Sequence, residues 1–384
     1  MVKPKTYFIY TFGCQMNKAD SERIAGDYQV RGFKLAKTVE AANEIIINTC
    51  SVRQRAEDRV IGLVLNLTKK FKSKKHQPKI ILTGCMIHHG EEKLRQLLPQ
   101  VDEILPISEV GFNISSIRRD KHHAWVPISN GCNSFCTFCI VPFSRGREKS
   151  RPESEILKEV TQLTADGYTE LTLVGQNVNS YGLEKIGVNL RKLLMRHPQQ
   201  IKLPSNQSQY KKFKGIPPFV KLLAKICRFN QLKTIRFLTS NPWDFSDALI
   251  DFIKTHPQID RFIYLPVQSG SNRILKLMNR GYTRQDYLKL VKKLTTAIPD
   301  ITLGTDIIVG FPGETKKDFA ETVALAKQVN WQVAFVAQYS PRPSTVSAKL
   351  YPDSISPAEK KRRWLVLEKL INKKHLQHRP QVIK

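Results

Sequence analysis

The chain has 384 residues, enough for two or three domains with sizeable apolar cores. Its 62 Lys and Arg residues exceed its 33 Asp and Glu residues, and the net charge of +29 favours a polyanionic partner, nucleic acid first. A surface made basic for solubility is the alternative. Seven cysteines are an odd number and too few for a disulfide scaffold. No segment has the apolar length of a secretory signal or a membrane span, so we expect a cytoplasmic protein with reduced thiols and no membrane partner.

Each of the first three predicted strands ends at a cysteine. The strands are Thr6 to Phe12, Glu44 to Thr49 and Lys79 to Thr83, and the cysteines are Cys14, Cys50 and Cys85. Predicted helices, Ala19 to Val30 and Gln54 to Lys70, separate the strands and indicate a small parallel β-α-β sheet domain. Because parallel strands bring their carboxyl ends to one edge, the three thiols can meet there and hold a metal cluster. The alternative is that each cysteine is a small buried apolar side chain.

A polar, basic stretch at residues 113–123 predicts a linker between an N-terminal domain, residues 1–112, and a second domain, residues 124–350. In the second domain, strands alternate with helices, which favours a partial (β/α)6 barrel over an open sheet and makes the whole chain an α/β protein. The predicted strands are Ala124 to Ser129, Glu170 to Val174, Thr234 to Thr239, Phe262 to Val267, Ile301 to Val309 and Val333 to Gln338. The predicted helices are Glu153 to Ala165, Phe219 to Phe229, Phe245 to Thr255, Arg284 to Ala297 and Lys316 to Val329. Residues 351–384 are expected to form a basic C-terminal helix.

Three cysteines, Cys132, Cys136 and Cys139, lie within eight residues just after the first strand of the predicted barrel. Three thiolates at this spacing can hold three irons of a [4Fe-4S] cluster and leave the fourth iron open for chemistry. A structural zinc site would need a fourth protein ligand, and a disulfide framework would need an even number of cysteines. A chance cluster or a zinc knuckle is the remaining alternative.

These motifs carry a resemblance to a known family. The C-x3-C-x2-C loop is similar to the signature of the radical S-adenosylmethionine (SAM) enzymes. Residues 13–17 (GCQMN), 48–53 (NTCSVR), 84–86 (GCM) and 144–148 (SRGRE) extend the resemblance to the radical-SAM methylthiotransferases, over roughly residues 5–370. Residues 49–53 and 265–271 are most similar to the MiaB type, which methylthiolates isopentenyladenosine next to the anticodon of tRNA.

The resemblance implies two [4Fe-4S] clusters and SAM as cofactors. One cluster, on Cys132, Cys136 and Cys139, would bind and reduce SAM as the catalytic centre. An auxiliary cluster, on Cys14, Cys50 and Cys85, would carry the sulfur to be inserted. Candidate SAM contacts are Phe138, Gln176, Asn177 and Asp306, and candidate contacts to SAM, the auxiliary cluster or tRNA phosphate are Arg145 and Arg147. The implied partners are the tRNA anticodon stem-loop, an electron donor such as flavodoxin or ferredoxin, and a sulfur source.

Two features of the chain depart from the alternation of strands and helices in the barrel or from the domain composition of the family. Residues 183–218 are basic and proline-containing, and we interpret them as an insertion that either faces RNA or is a plain surface excursion. The chain is also expected to lack the C-terminal TRAM domain of MiaB-type enzymes. Residues 279–283 (NRGYT) are interpreted as a plain link between two helices rather than as a binding loop.

Two other functions stay open at this point. A sibling methylthiotransferase would act on threonylcarbamoyladenosine in tRNA or on an aspartate of a ribosomal protein. A non-catalytic iron–sulfur protein that binds RNA would have lost the reaction. Reconstituted protein that converts SAM to 5′-deoxyadenosine would exclude the second, and mass analysis of tRNA nucleosides would separate the sibling substrates.

Overall fold

The computed structural model describes residues 4–73, 77–106, 116–183 and 215–373. Most of the predicted insertion, part of the predicted linker and the last residues of the predicted C-terminal helix lie outside these ranges. Among the described residues, no helix is long and apolar enough to cross a membrane.

The N-terminal domain is a five-stranded parallel sheet with the strand order β2-β1-β3-β4-β5. Its strands are β1 (Thr6–Thr11), β2 (Lys34–Leu35), β3 (Glu44–Thr49), β4 (Lys79–Gly84) and β5 (Glu103–Ile104), and its helices are α1 (Gln15–Val30), α2 (Gln54–Phe71) and α3 (Glu91–Leu97). Helix α2 forms because apolar residues recur at helical spacing, and Val60, Val64 and Leu67 bury that face against the sheet. The predicted parallel β-α-β domain is confirmed, and α1 begins four residues before the predicted start.

The second domain contains two three-stranded parallel sheets, β6-β9-β10 and β11-β12-β13, which follow one another in chain order. The strands are β6 (His123–Pro127), β9 (Glu170–Val174), β10 (Thr234–Phe237), β11 (Phe262–Tyr264), β12 (Thr302–Val309) and β13 (Trp331–Gln338), with a short antiparallel pair, β7 (Ser129–Asn130) and β8 (Lys149–Ser150), after β6. A parallel bridge between Ile235 and Ile259 joins the two sheets. Together they form the predicted partial barrel.

Helices cover the outside of these strands and enclose one large apolar core. They are α4 (Val141–Ser144), α5 (Glu153–Ala165), α6 (Pro218–Ile226), α7 (Asp247–Thr255), α8 (Asn272–Leu277), α9 (Arg284–Ala297), α10 (Lys316–Gln328), α11 (Val346–Leu350) and α12 (Pro357–Leu367). Helices α9 and α10 each begin at a threonine that forms a capping box with an aspartate three residues later. These caps place the starts of both helices where the sequence predicts them.

The C-terminal helix α12 packs on the barrel beside β13 instead of standing apart from it. The indole nitrogen of Trp364 donates to the carbonyl of Val336 at 3.0 Å. Just beyond α12, the Asn372 side chain donates to and accepts from the backbone of Ala334. Lys360 and Arg363 are buried and face the acidic side chains of Asp353 and Glu314. Two positive charges of this segment are therefore paired with acidic side chains of the fold instead of being exposed to solvent.

The two domains meet through α1, which lies against β6. Few apolar side chains cross this contact: Met16 and Ala19 of α1 pack on Val174, with Trp125 beside them. Charged groups contribute more, because Arg118 donates to Glu22 of α1 at 2.9 Å and also pairs with Glu159 of α5. The carboxyl ends of β1, β3 and β4 thereby face the loop that follows β6.

Candidate functional site

Cys14, Cys50 and Cys85 lie at the carboxyl ends of three neighbouring strands. Cys14 is the N-cap of α1 after β1, Cys50 directly follows β3, and Cys85 begins a short 3-10 helix after β4. Burial, together with the nearby thiols of Cys85 and Cys14, raises the pKa of Cys50 to about 12. The structure thus brings together all three cysteines that the strand pattern places at one edge.

Gly13 allows the chain to turn closely over this cysteine set. Its φ angle is +114°, a conformation that side-chain-bearing residues rarely adopt. A Cβ atom at position 13 would lie 2.8 Å from the Cβ and 3.2 Å from the Sγ of Cys50. A larger residue would therefore occupy the space next to the Cys50 sulfur.

The second cysteine set lies in the loop after β7. The loop enters through Gly131, whose φ is +78° and whose Cβ would lie 2.2 Å from the carbonyl oxygen of Arg147. The amide of Cys132 donates to the carbonyl of Gly146 at 3.2 Å, and the amide of Cys139 donates to the carbonyl of Cys136 at 3.1 Å. Burial and the neighbouring Cys136 thiol raise the pKa of Cys139 to about 12.

Arg145 joins the two cysteine sets. Its side chain is 2% exposed, and its Nη2 atom lies 2.7 Å from Oδ2 of Asp20 and 3.1 Å from Oδ1 of Asn17, both on α1. Its Nε atom donates to the sulfur of Cys85 at 3.3 Å, although Arg145 belongs to the segment that follows the second cysteine set. Arg147, two residues later, is exposed.

The donor chemistry of both sets fits iron–sulfur clusters. Soft thiolate ligands select zinc, copper(I) or iron–sulfur clusters. In the described part of the chain, the only His, Cys, Asp or Glu group compact enough for a single ion is Glu57 with His88 and His89. Neither cysteine set therefore has its three sulfurs within 4.8 Å of one another, as one ion would require. A multi-iron cluster spans the wider separation, and ligation removes the protons that buried thiols otherwise keep.

The predicted SAM contacts line the barrel beside the second cysteine set. Gln176 and Asn177 directly follow β9, and Oε1 of Gln176 and Oδ1 of Asn177 are buried without a hydrogen-bond partner. Asp306 of β12 accepts from the Tyr264 hydroxyl at 2.6 Å, and burial raises the pKa of its carboxyl group. Phe138 packs with a small apolar cluster that includes Phe311. The unpartnered amide oxygens suit the amino and hydroxyl donors of a bound nucleoside.

Residues 279–283 do more than link two helices, which corrects the interpretation made from the sequence. Nδ2 of Asn279 donates to the carbonyl of Phe135 at 2.9 Å, and Nη1 of Arg280 donates to the sulfur of Cys136 at 3.2 Å. The amide of Thr137 donates to the carbonyl of Met278. This segment holds the cysteine loop from the side of the barrel. Its polar side chains were visible in the sequence, but their contact lies 144 residues away along the chain.

A second group that sequence reasoning missed surrounds Glu57 on α2. Arg342, from the loop after β13, pairs with Glu57 and donates to Ser51 at 3.1 Å. Although burial acts in the opposite direction, hydrogen bonds from His89, Ser51 and Arg342 lower the pKa of Glu57 to about 2. The ion pair fixes the backbone next to Cys50 to the second domain. No local motif marks it, since its two residues are 285 positions apart.

Two family models match the chain. The model described as the radical SAM superfamily matches residues 126–326, which contain the second cysteine set. The model described as uncharacterized protein family UPF0004 matches residues 6–106, which contain Cys14, Cys50 and Cys85. The two matches correspond to the two parts of the fold.

Curated relatives extend over almost the whole chain. The tRNA-2-methylthio-N(6)-dimethylallyladenosine synthase of Thermotoga petrophila is 40% identical, over 96% of this chain and 82% of the relative. The enzyme of the same name from Caldicellulosiruptor saccharolyticus is 40% identical, over 99% of this chain and 81% of the relative. The corresponding enzyme from Dictyoglomus thermophilum is 39% identical, over 93% and 80%.

Solved structures show the same fold at low sequence identity. The radical S-adenosylmethionine methyltransferase TsrM from Kitasatospora setae, with cobalamin and a [4Fe-4S] cluster bound, superposes with a TM-score of 0.56 at 14% identity, over 90% of this chain and 77% of that one. The cobalamin-dependent S-adenosylmethionine radical enzyme OxsB gives a TM-score of 0.53 at 11% identity, over 96% of this chain and 56% of that one.

Proposed function

The chain belongs to the radical SAM superfamily and, within it, to the family of the tRNA-2-methylthio-N(6)-dimethylallyladenosine synthases, and from this premise we propose that it methylthiolates N6-isopentenyladenosine in tRNA. The observation that carries the proposal is the pairing of two three-cysteine sets in one site. Arg145, which follows the second set along the chain, donates to the sulfur of Cys85 in the first set at 3.3 Å. The cleavage of SAM by itself needs only one such set.

Cys132, Cys136 and Cys139 would hold the cluster that faces SAM, and Cys14, Cys50 and Cys85 would hold the auxiliary cluster. Acid–base chemistry cannot easily remove an aromatic hydrogen, so the reaction needs a radical. When bound, these groups would supply one electron for SAM cleavage and the sulfur for the product. The amide oxygens of Gln176 and Asn177 would accept hydrogen bonds from SAM. The carboxyl group of Asp306, which is half-buried, would be a further polar contact.

The chain's own residues provide position and shielding. Asn279 and Arg280 hold the loop of the second cysteine set, and Arg145 donates to Cys85 of the first set, so both sets are positioned before the substrate arrives. The Gly13 turn leaves room beside the Cys50 sulfur. Most of the sulfur ligands are buried, which keeps water away from the reacting centre.

The tRNA substrate is consistent with the charge of the chain. A net charge of +29 supplies the salt-dependent attraction to phosphates on which RNA binding rests. An unstacked adenosine next to the anticodon is the kind of loop base that proteins read from single-stranded RNA. A one-electron donor of the flavodoxin or ferredoxin type and a separate sulfur source complete the proposed reaction.

The test uses the anaerobically reconstituted chain with SAM, dithionite and tRNA carrying isopentenyladenosine, followed by mass analysis of the nucleosides. We expect the 2-methylthio derivative, and no product from tRNA with unmodified adenosine. A C14A/C50A/C85A variant should still convert SAM to 5′-deoxyadenosine but form no methylthio product. Product only from threonylcarbamoyladenosine, or none from any tRNA despite SAM cleavage, would reject the proposed substrate.

A further inference from the structure

A large cavity opens on the outside of the barrel next to the cysteine loop. Its volume is about 1080 Å³, and every described residue that lines it lies between Pro242 and Lys293. The volume exceeds the roughly 300–1,000 Å³ of typical small-molecule pockets. The N-terminal domain contributes none of the described lining, so a molecule bound here contacts the barrel alone.

One side chain connects this cavity to the cysteine loop. Arg280 lines the cavity, and its Nη1 atom lies 3.2 Å from the sulfur of Cys136. Asn279, also in the lining, holds the loop through the carbonyl of Phe135. A single hydrogen bond therefore separates the cavity wall from a predicted cluster ligand.

The wall of the cavity is basic and aromatic. Its charged lining residues are Lys276, Arg280, Lys289 and Lys293 against Asp247 and Asp286, an excess of two positive charges. The rings of Trp243 and Tyr282 are stacked with their centroids 5.7 Å apart, and the Arg280 guanidinium lies 4.6 Å from the Trp243 centroid. The surface is thus complementary to an acidic partner.

We propose that this cavity is the docking surface for an acidic one-electron carrier protein that reduces the cluster on Cys132, Cys136 and Cys139. The carrier would give up one electron and become oxidised, and the cluster that Cys132, Cys136 and Cys139 would hold would accept it; no atom is transferred. The proposal rests on the proposed function only in requiring a reducible cluster at this cysteine set. Electron-transfer partners bind through small interfaces, below about 1,200 Å² in total, which one cavity and its rim can provide.

The geometry favours a carrier over RNA at this surface. A tRNA base must reach the space between the two cysteine sets, where Arg145 from the segment after the second set contacts Cys85 of the first. The cavity lies instead on the side of the loop that Arg280 contacts, and each of its described lining residues belongs to the barrel domain. A carrier needs access to one cluster only, so it can reduce the enzyme without occupying the substrate's position.

The test compares two double variants of the reconstituted chain with the same change in charge. K276E/K289E reverses two exposed lysines of the cavity, and the control K158E/K221E reverses two exposed lysines on α5 and α6. The probe is flavodoxin, titrated at low ionic strength. Because exposed ion pairs are individually weak, we expect K276E/K289E to raise the Kd for flavodoxin about tenfold and the control less than about twofold.

Three further readouts decide the interpretation. Dithionite-driven SAM cleavage and tRNA affinity should be the same in K276E/K289E as in the wild type. An unchanged Kd for flavodoxin, or an equal loss in the control, would overturn the docking surface, and a selective loss of tRNA affinity would assign it to RNA. Failure of the wild type to cleave SAM with dithionite would instead refute the proposed function, because the Kd does not depend on turnover.

Discussion

Replacing Arg145 by methionine removes a guanidinium that contacts both domains at the cysteine sets. The side chains of Arg145 and Asp20 are 2% and 1% exposed, so the substitution leaves a buried carboxylate without its partner from the second domain. Breaking a buried ion pair on one side costs about 3–5 kcal/mol. Arg23 still contacts Asp20, and we therefore expect the lower end, about 3 kcal/mol.

The assay is urea denaturation of the cluster-free protein, with Arg147→Met as the matched control. Arg147 lies two residues further along and is exposed, so its substitution should change the free energy of unfolding by less than about 0.5 kcal/mol. In the reconstituted protein, R145M also removes the N–H donor to Cys85, and the reduction potential of the auxiliary cluster should fall. If R145M and R147M unfold at the same urea concentration, the ion pair does not stabilise the domain contact and the reasoning is wrong.

Three other substitutions test separate parts of the site. Gly13→Ala places a Cβ 2.8 Å from the Cβ of Cys50, so the auxiliary cluster should no longer fit. The iron content should fall from about eight to about four per chain, and a count of eight would contradict the close approach. Asn177→Ala removes the unpartnered amide oxygen beside the cysteine loop and should weaken SAM binding about fivefold in a direct titration, while the iron content stays unchanged. Glu314→Gln breaks the buried pair with Arg363 and should lower the free energy of unfolding by about 3 kcal/mol. The control Glu359→Gln, whose carboxylate is 28% exposed, should lower it by less than about 1 kcal/mol, and equal losses would contradict the burial argument.

The alternation of strands and helices was predictable because it depends on local periodicity. Strands Glu44–Thr49 and Glu170–Val174 and helices Glu153–Ala165 and Arg284–Ala297 have the predicted bounds. The positions of Cys14, Cys50 and Cys85 follow from the same pattern, since each is tied to a strand end. The motif around Cys132 likewise needs only eight consecutive residues to be seen.

The start and the buried polar residues of helix α1 could not be predicted from local periodicity. The sequence predicts its start at Ala19, whereas the helix begins at Gln15. In the structure Asn17, Asp20 and Glu22 are buried, since α1 lies between its own sheet and the barrel. Their partners come from segments far away in sequence: Arg145 is 125 residues from Asp20, and Arg118 is 96 residues from Glu22. Local periodicity carries no information about such pairs.

Buried ion pairs join the two domains next to the cysteine sets. Among the described residues, the apolar cluster between α1 and the barrel is small, with Met16 and Ala19 packed on Val174 and Trp125 beside them. Arg145–Asp20, Arg118–Glu22 and Arg342–Glu57 require one geometry each, and all three combine residues from both sides of the contact. Buried ion pairs add little net stability, because desolvation offsets their attraction. We infer that these three pairs fix the orientation of the domains, so that two cysteine sets from separate domains form one site.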